Sequence, residues 1–226
     1  FLLGLFFSLV STSLIASDKL DTKSYYFFFK HSAYIALAIT ILIIFSFLNQ
    51  KILTKLSFIF FLFAFLSLLL VPFLGIEVKG SKRWLDLMFL PRFQPVEIVK
   101  PFFIVSLSLM LTIQNRRLYF KYFLSVLLIL PILMLLVYQP DIGQTLLISM
   151  VWLALIFISG ITIFIFFIFF LFVGSTVSYL VLFVTKFEYI KIRLFAFLDS
   201  SSGNNYQAEK ASDAIINGGF FGKGIG

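Results

Sequence analysis

The chain has no cysteine, a single histidine (His31) and few charges, with Lys, Arg, Asp and Glu making up 12% of its residues. Without cysteine there is no disulfide, no thiol catalysis and no thiolate metal site. One histidine excludes a histidine-cluster metal centre. A soluble domain carries about 25% charged residues, so 12% argues against one. Proline is scarce as well, at 6 in 226 residues.

What is present is apolar: 61% hydrophobic residues, 33 phenylalanines and a mean hydropathy of +1.08. Repeated apolar runs of about 18 residues or more mark a polytopic membrane protein. In lipid every backbone group needs an internal partner, which restricts the spans to helices or a closed barrel. The runs are continuous rather than alternating, which excludes the barrel. The expected fold class is therefore all-α, a polytopic transmembrane helical bundle forming one integral-membrane domain over 1–226. The phenylalanines read mostly as lipid-facing bulk. A net charge of +8 suits a surface facing anionic lipid or pyrophosphate and gives no reason to expect nucleic acid.

Seven spans are expected: Phe1–Ala16, Ser32–Leu48, Leu56–Leu74, Gln94–Ile113, Phe123–Tyr138, Leu146–Ser159 and Ile161–Val184. The first falls short of the hydrocarbon thickness at about 1.5 Å per residue. The chain begins at Phe1 without Met and ends at Gly226 in a glycine-rich stretch, so both ends read as truncations. Pro95 suits a first helical position, and Pro101 predicts a kink one to two turns later. With the first end cytoplasmic, the links on that side carry Lys51, Lys55, Arg116, Arg117 and Lys121, five basic residues against ten near the spans on the other. By the positive-inside rule that count favours the opposite orientation.

Charge is concentrated in Lys79–Pro101, KGSKRWLDLMFLPRFQPVEIVKP, which holds seven of the 28 formal charges. Ionisable residues at a membrane edge are a functional hypothesis by default. Arg83 and Trp84 read either as interfacial anchors or, with Lys79 and Lys82, as a grip on phosphate oxygens with the indole on a sugar or lipid head. Glu97 and Lys100, three apart on a helix, read either as a structural ion pair or, with Gln94, as a polar patch facing a water-filled cavity. Asp141 in QPDIGQT reads either as a turn residue capping the next helix or as a general base. The segment NYQAEKASDAIINGGFFGKGIG reads either as a surface helix with a flexible turn or as a loop over a cavity mouth; its Gly-Lys lacks the spacing of a phosphate-binding loop.

Four of these stretches, KGSKRWLDL (79–87), RFQPVEIVKP (92–101), QPDIGQTLLI (139–148) and YQAEKASDAIINGGFFGKGIG (206–226), resemble in order and spacing the SEDS proteins, the FtsW/RodA polytopic glycosyltransferases of bacterial cell-wall synthesis. QPDIGQT and the short NNYQAEKASDAI segment are more like the FtsW division branch. The resemblance implies ten spans, about seven of them here, with cytoplasmic termini. It places 75–93 and the start of a large loop, 185–226, in the periplasm, and the protein in the bacterial inner membrane at the division septum. It implies polymerisation of lipid II, release of undecaprenyl pyrophosphate, a class B penicillin-binding protein as partner, and contact with other division proteins. Alternatives are a lipid II flippase or a non-catalytic scaffold.

By the same resemblance Arg83, Trp84, Gln94, Glu97 and Lys100 line the substrate cavity, with Arg83 and Lys100 on pyrophosphate. Pro95, Asp141, Gln207, Gly218 and Gly219 take structural or secondary places. Neutralising the pyrophosphate calls for Arg/Lys or a divalent cation such as Mg²⁺ or Mn²⁺; no metal ligand is assigned. The family's catalytic aspartate matches a position beyond Gly226. Val96 stands where the family has a small residue, and its β-branch is expected to crowd the helix start.

Overall fold

In a computed structural model the protein is described over residues 1–12, 25–78, 81–87, 91–113, 117–192, 206–220 and 222. The expectations for Lys79 and Arg116 lie outside these. Contacts divide the chain into two units, 1–49 with 196–226, and 50–195.

The first unit holds α1 (Leu2–Thr12), α2 (Tyr26–Ser46) and an amphipathic helix at Tyr206–Gly218. α1 packs on α2.

The second unit holds α3 (Gln50–Leu74), a hairpin of β1 (Ile76–Val78) and β2 (Ser81–Trp84), α4 (Pro95–Thr112), α5 (Leu118–Tyr138), α6 (Ile142–Ile158) and α7 (Ile163–Phe183). With α8 for Tyr206–Gly218, the all-α fold class holds, a two-stranded hairpin aside. Among the described residues five helices are long and apolar enough to cross a membrane: α2, α3, α4, α5 and α7; α6 is apolar with 17 residues.

The helices extend beyond the apolar runs that announce them. α3 begins at Gln50, not Leu56, and takes Lys51 and Lys55 into its first turns. α5 begins at Leu118, not Phe123, and α6 at Ile142, not Leu146. Lysine has an aliphatic stem and good helix propensity, so a change in hydropathy does not end a helix. α4 starts at Pro95 as expected and continues through Pro101. The turn expected at Ser159-Gly160 is present, with Gly160 at φ +86, a left-handed conformation that glycine adopts without cost.

Residues 75–93 are more than a loop. Gly75 donates its N–H to the Val71 carbonyl at 2.8 Å. A Cβ there would meet that oxygen at 2.3 Å, so only glycine turns the chain this tightly into β1. Beyond β2, Leu85 and Phe93 exchange backbone hydrogen bonds of 2.9 and 3.2 Å, returning the chain to α4.

The interior of this unit lies along stripes of heptad-like spacing. On α3 the buried positions are Ser57, Phe61, Ala64, Leu68 and Val71, with Ser67 beside them; on α5 they are Tyr122, Ser125, Ile129, Ile132 and Leu136. Steps of three and four keep one face toward a neighbour. Val96 is buried near the start of the corresponding stripe on α4. The phenylalanines divide: Phe58, Phe63 and Phe73 are exposed as lipid-facing bulk would be, while Phe60 stacks on Phe102 and Phe61 packs by Phe103 across α3 and α4.

Small buried residues allow close helix approach where lipid supplies no hydrophobic drive. Ala64 is fully buried. Ala64→Leu should cost about 1–3 kcal/mol through overpacking and lower the thermal midpoint of the detergent-solubilised protein. Phe63→Leu, on the exposed face next to it, should leave the midpoint in place. Equal shifts would contradict this packing.

Candidate functional site

Four chain segments of the second unit meet at one end: the C-terminus of α3 with the hairpin, the start of α4, the turn from α5 to α6, and the chain after α7. The turn Gln139–Asp141 is central. An α-helix ends with carbonyls that have no helical partner, and α5 ends beside an apolar bundle. Here three successive carbonyls receive side-chain donors. Lys186 Nζ donates to the Tyr138 carbonyl at 2.6 Å and lies over the Tyr138 ring, 4.9 Å from its centroid. Arg83 Nε donates to the Gln139 carbonyl at 3.4 Å and Arg83 Nη2 to that of Pro140. Tyr189 Oη donates to the Pro140 carbonyl at 3.0 Å. Cations also complement the partial negative charge of a helix C-terminus.

Asp141 follows. It occupies the N-cap position of α6, but its carboxylate makes no capping bond, which corrects the capping expectation. Oδ2 instead accepts from Gln94 Nε2 at 3.0 Å and lies 3.7 Å from Arg83 Nε. These partners hold the carboxylate away from its own helix. Thr145 satisfies the start of α6 differently, donating its hydroxyl to the Asp141 carbonyl at 2.8 Å.

One turn along, Glu97 is held from two sides. Lys100 Nζ lies 2.7 Å from Oε2, and Gln144 Nε2 donates to Oε1 at 2.9 Å. The expected Glu97–Lys100 ion pair is thus present, with Lys100 largely covered and Glu97 half exposed. Gln94 meets Asp141, and Glu97 meets Gln144, both across 47 residues. α4 and α6 therefore start side by side and run in the same direction, and both carboxylates sit at helix N-termini, where the dipole favours them.

Of the residues expected to line a site, Arg83, Gln94, Glu97 and Lys100 come together here, joined by Asp141, for which a structural or secondary place was expected. Pro95 is buried at the first position of α4. Trp84 is partly exposed on β2, with Ile76 as its cross-strand partner. Gly218 ends α8 and Gly219 follows at φ +60, both in the first unit; the side chain of Gln207 is outside the described residues. Sequence reasoning passed over Gln144, Lys186 and Tyr189. Gln144 lay inside a motif already noticed; the partners of Lys186 and Tyr189 are 48 and 49 residues away, and nothing local announces them.

The cluster does not fit a protein-held Mg²⁺ or Mn²⁺. Both oxygens of Glu97 are engaged, Asp141 Oδ2 faces an arginine, and among the described residues no three His, Cys, Asp or Glu side chains gather. A separate cavity of about 260 Å³ lies beside the turn, lined in part by Glu77, Ser81, Lys82, Gln139 and Lys186.

Residues 1–226 match the profile of a family described as cell cycle protein, FtsW/RodA/SpoVE. A probable peptidoglycan glycosyltransferase FtsW of Coxiella burnetii is 32% identical over 224 residues, covering 96% of this chain and 59% of that protein. The protein of the same description from Caulobacter vibrioides is 29% identical over 237 residues, covering 99% and 57%. The chain thus spans less than two thirds of the length of these relatives. Among solved structures, the rod shape determining protein RodA of Thermus thermophilus superposes with a TM-score of 0.58 at 24% identity, over 76% of this chain and 58% of that one. A chain of a peptidoglycan synthase complex, solved for the structural coordination of polymerization and crosslinking, gives 0.66 at 24%, over 94% and 64%. These two likenesses speak for the fold. With its apolar helices and its motifs, the chain is a multi-pass membrane protein that belongs to the FtsW/RodA/SpoVE family of cell cycle proteins.

Proposed function

We propose that the protein is a membrane-embedded glycosyltransferase that polymerises lipid II into glycan strands during cell division. The observation that carries this reading is the cluster at one end of the bundle, where Lys100 is fixed by Glu97 beside Arg83 and Asp141. Family membership and the names of the relatives support it. In the reaction the acceptor sugar's 4-hydroxyl attacks the donor's anomeric carbon. The new C–O bond forms as the bond to undecaprenyl pyrophosphate breaks, and the hydroxyl proton goes to a carboxylate base. We place that base outside residues 1–226.

The leaving pyrophosphate gathers negative charge, so fixed cations near it lower the barrier. Lys100 suits this role. Its ammonium has three N–H donors and its position is set by Glu97. Arg83 has five N–H groups; two serve the α5–α6 turn and three remain. Arg83 therefore organises the turn as well as adding charge. Asp141 is committed to Gln94 and Arg83 and acts as a clamp, not as the base. We further propose a class B penicillin-binding protein as partner, which the likeness to a chain of a peptidoglycan synthase complex supports, together with other division proteins and a septal location.

The test uses the whole protein with its partner, lipid II and a glycan gel. Lys100→Ala should lower polymerisation roughly 100-fold with an unchanged thermal midpoint. Normal polymerisation by that variant would remove Lys100 from the pyrophosphate. Lipid II crossing liposome membranes without polymer would indicate a flippase instead, and neither activity a scaffold.

Asp141 separates by a different readout. Asp141→Asn keeps an acceptor for Gln94 and loses the charge facing Arg83. It should destabilise the protein by about 1–3 kcal/mol, and polymerisation should fall only as far as folded protein is lost. Abolished turnover at an unchanged midpoint would make Asp141 the base.

A further inference from the structure

Gln144 is odd on stability grounds alone. Its amide nitrogen donates to Glu97 Oε1 at 2.9 Å, which fixes the orientation of the amide, yet its Oε1 is buried with no hydrogen-bond partner. A buried acceptor without a donor costs about 1–3 kcal/mol. Leucine has nearly the same shape and would avoid that cost. A position that breaks the rule of satisfied polar groups is expected where a side chain serves something other than stability.

Its bond explains what that is. Glu97 and Lys100 are three apart on α4, and Glu97 is 52% exposed. An ion pair of this kind on an exposed helix face contributes only about 0.2–0.5 kcal/mol, too little to hold a flexible ammonium in one place. Gln144 comes from the first turn of another helix. By taking Oε1 it leaves Oε2 facing Lys100 Nζ at 2.7 Å. The sequence of contacts is α6 to Glu97 to Lys100, and it ties the ammonium to the relative position of two parallel helices, already locked a turn earlier by Gln94 and Asp141.

We infer that Gln144 is a positioning residue for Lys100, acting through Glu97 to hold the ammonium where a pyrophosphate-bearing substrate needs it. The inference deepens the proposed function, on which the substrate rests; the contacts do not depend on it.

The test is the Gln144→Leu variant of the whole protein, with two readouts. The first needs no activity: the rate at which Lys100 reacts with an amine-directed acylating reagent, followed by peptide mass spectrometry. Loss of an amide hydrogen bond to the charged Glu97 is worth a factor of roughly ten to a hundred, so Lys100 should label faster by up to that factor while Lys186 keeps its rate. The thermal midpoint should hold or rise, because a buried unpaired acceptor is gone; a merely structural role would lower it. The second readout is polymerisation, which should fall by a similar factor, with no further loss when Gln144→Leu is added to Lys100→Ala. Unchanged labelling of Lys100, or additive losses in the double variant, would overturn the inference. If Gln144→Leu does not fold, Gln144→Asn, one methylene too short to reach Glu97, carries the same labelling expectation. Should Lys100→Ala polymerise normally, the pyrophosphate assignment fails, while the labelling result still decides whether Gln144 positions Lys100.

Discussion

The turn between α5 and α6 has to satisfy the carbonyls of Tyr138, Gln139 and Pro140, which follow the last backbone bonds of the helix, Gln139 N–H to Leu135 and Asp141 N–H to Leu136. The protein uses Arg83 from the hairpin and Lys186 and Tyr189 from the chain after α7. Two segments far apart in sequence are thereby tied to one turn. The hairpin is itself placed by Gly75, whose lack of a Cβ lets α3 turn tightly into β1. Once Arg83 is anchored on the Gln139 and Pro140 carbonyls it faces Asp141, and Asp141 in turn draws Gln94 and the start of α4 to the same place.

From that anchor the rest of the polar end follows by helix geometry. α4 and α6 begin at the same level, so a contact between positions 94 and 141 recurs three residues on between 97 and 144. The two contacts have reversed polarity: glutamine of α4 to carboxylate of α6, then carboxylate of α4 to glutamine of α6. Neither pairs two carboxylates, so two acids at neighbouring helix starts coexist without facing each other. Lys100, one turn deeper on α4, completes the set as the cation of the second contact.

Much of this was legible in the sequence, and for physical reasons. Continuous apolar runs have only one stable form in lipid, so the order of the apolar helices could be read from them, although of the seven spans expected five, among the described residues, are helices long and apolar enough to cross a membrane. The Glu97–Lys100 pair follows from helical spacing, the turn at Gly160 from glycine, and the start of α4 from Pro95. The capping role expected of Asp141 did not materialise, because Gln94 and Arg83, 47 and 58 positions away, compete for the same oxygen. The start of α3 was misplaced by six residues, since hydropathy marks where lipid begins and not where a helix does. Which face of each helix is buried was least legible: when both faces are apolar, periodicity carries no contrast.

That missing contrast was present in another form. The buried stripes are marked by Ser57, Ala64, Ser67, Ser106, Ser125, Thr145 and Ser149, small residues in helices otherwise rich in Leu, Ile and Phe. Inside the bundle three of these hydroxyls turn inward on their own helix, Ser67 to the Phe63 carbonyl, Ser125 to that of Tyr122 and Thr145 to that of Asp141, while Ser106 Oγ is buried without a partner. They let helices approach and make few demands on a neighbour; Trp152 Nε1 donating to Ser125 Oγ is a cross-helix exception. At the polar end the rule reverses, and amides, carboxylates and cations bond across elements. The division has one cause. A polar group surrounded by apolar side chains is cheapest when satisfied within its own helix, whereas a group at a helix end meets backbone that its own helix has left unpaired. Chemistry that needs several charged side chains in one place is therefore confined to the end where helices stop.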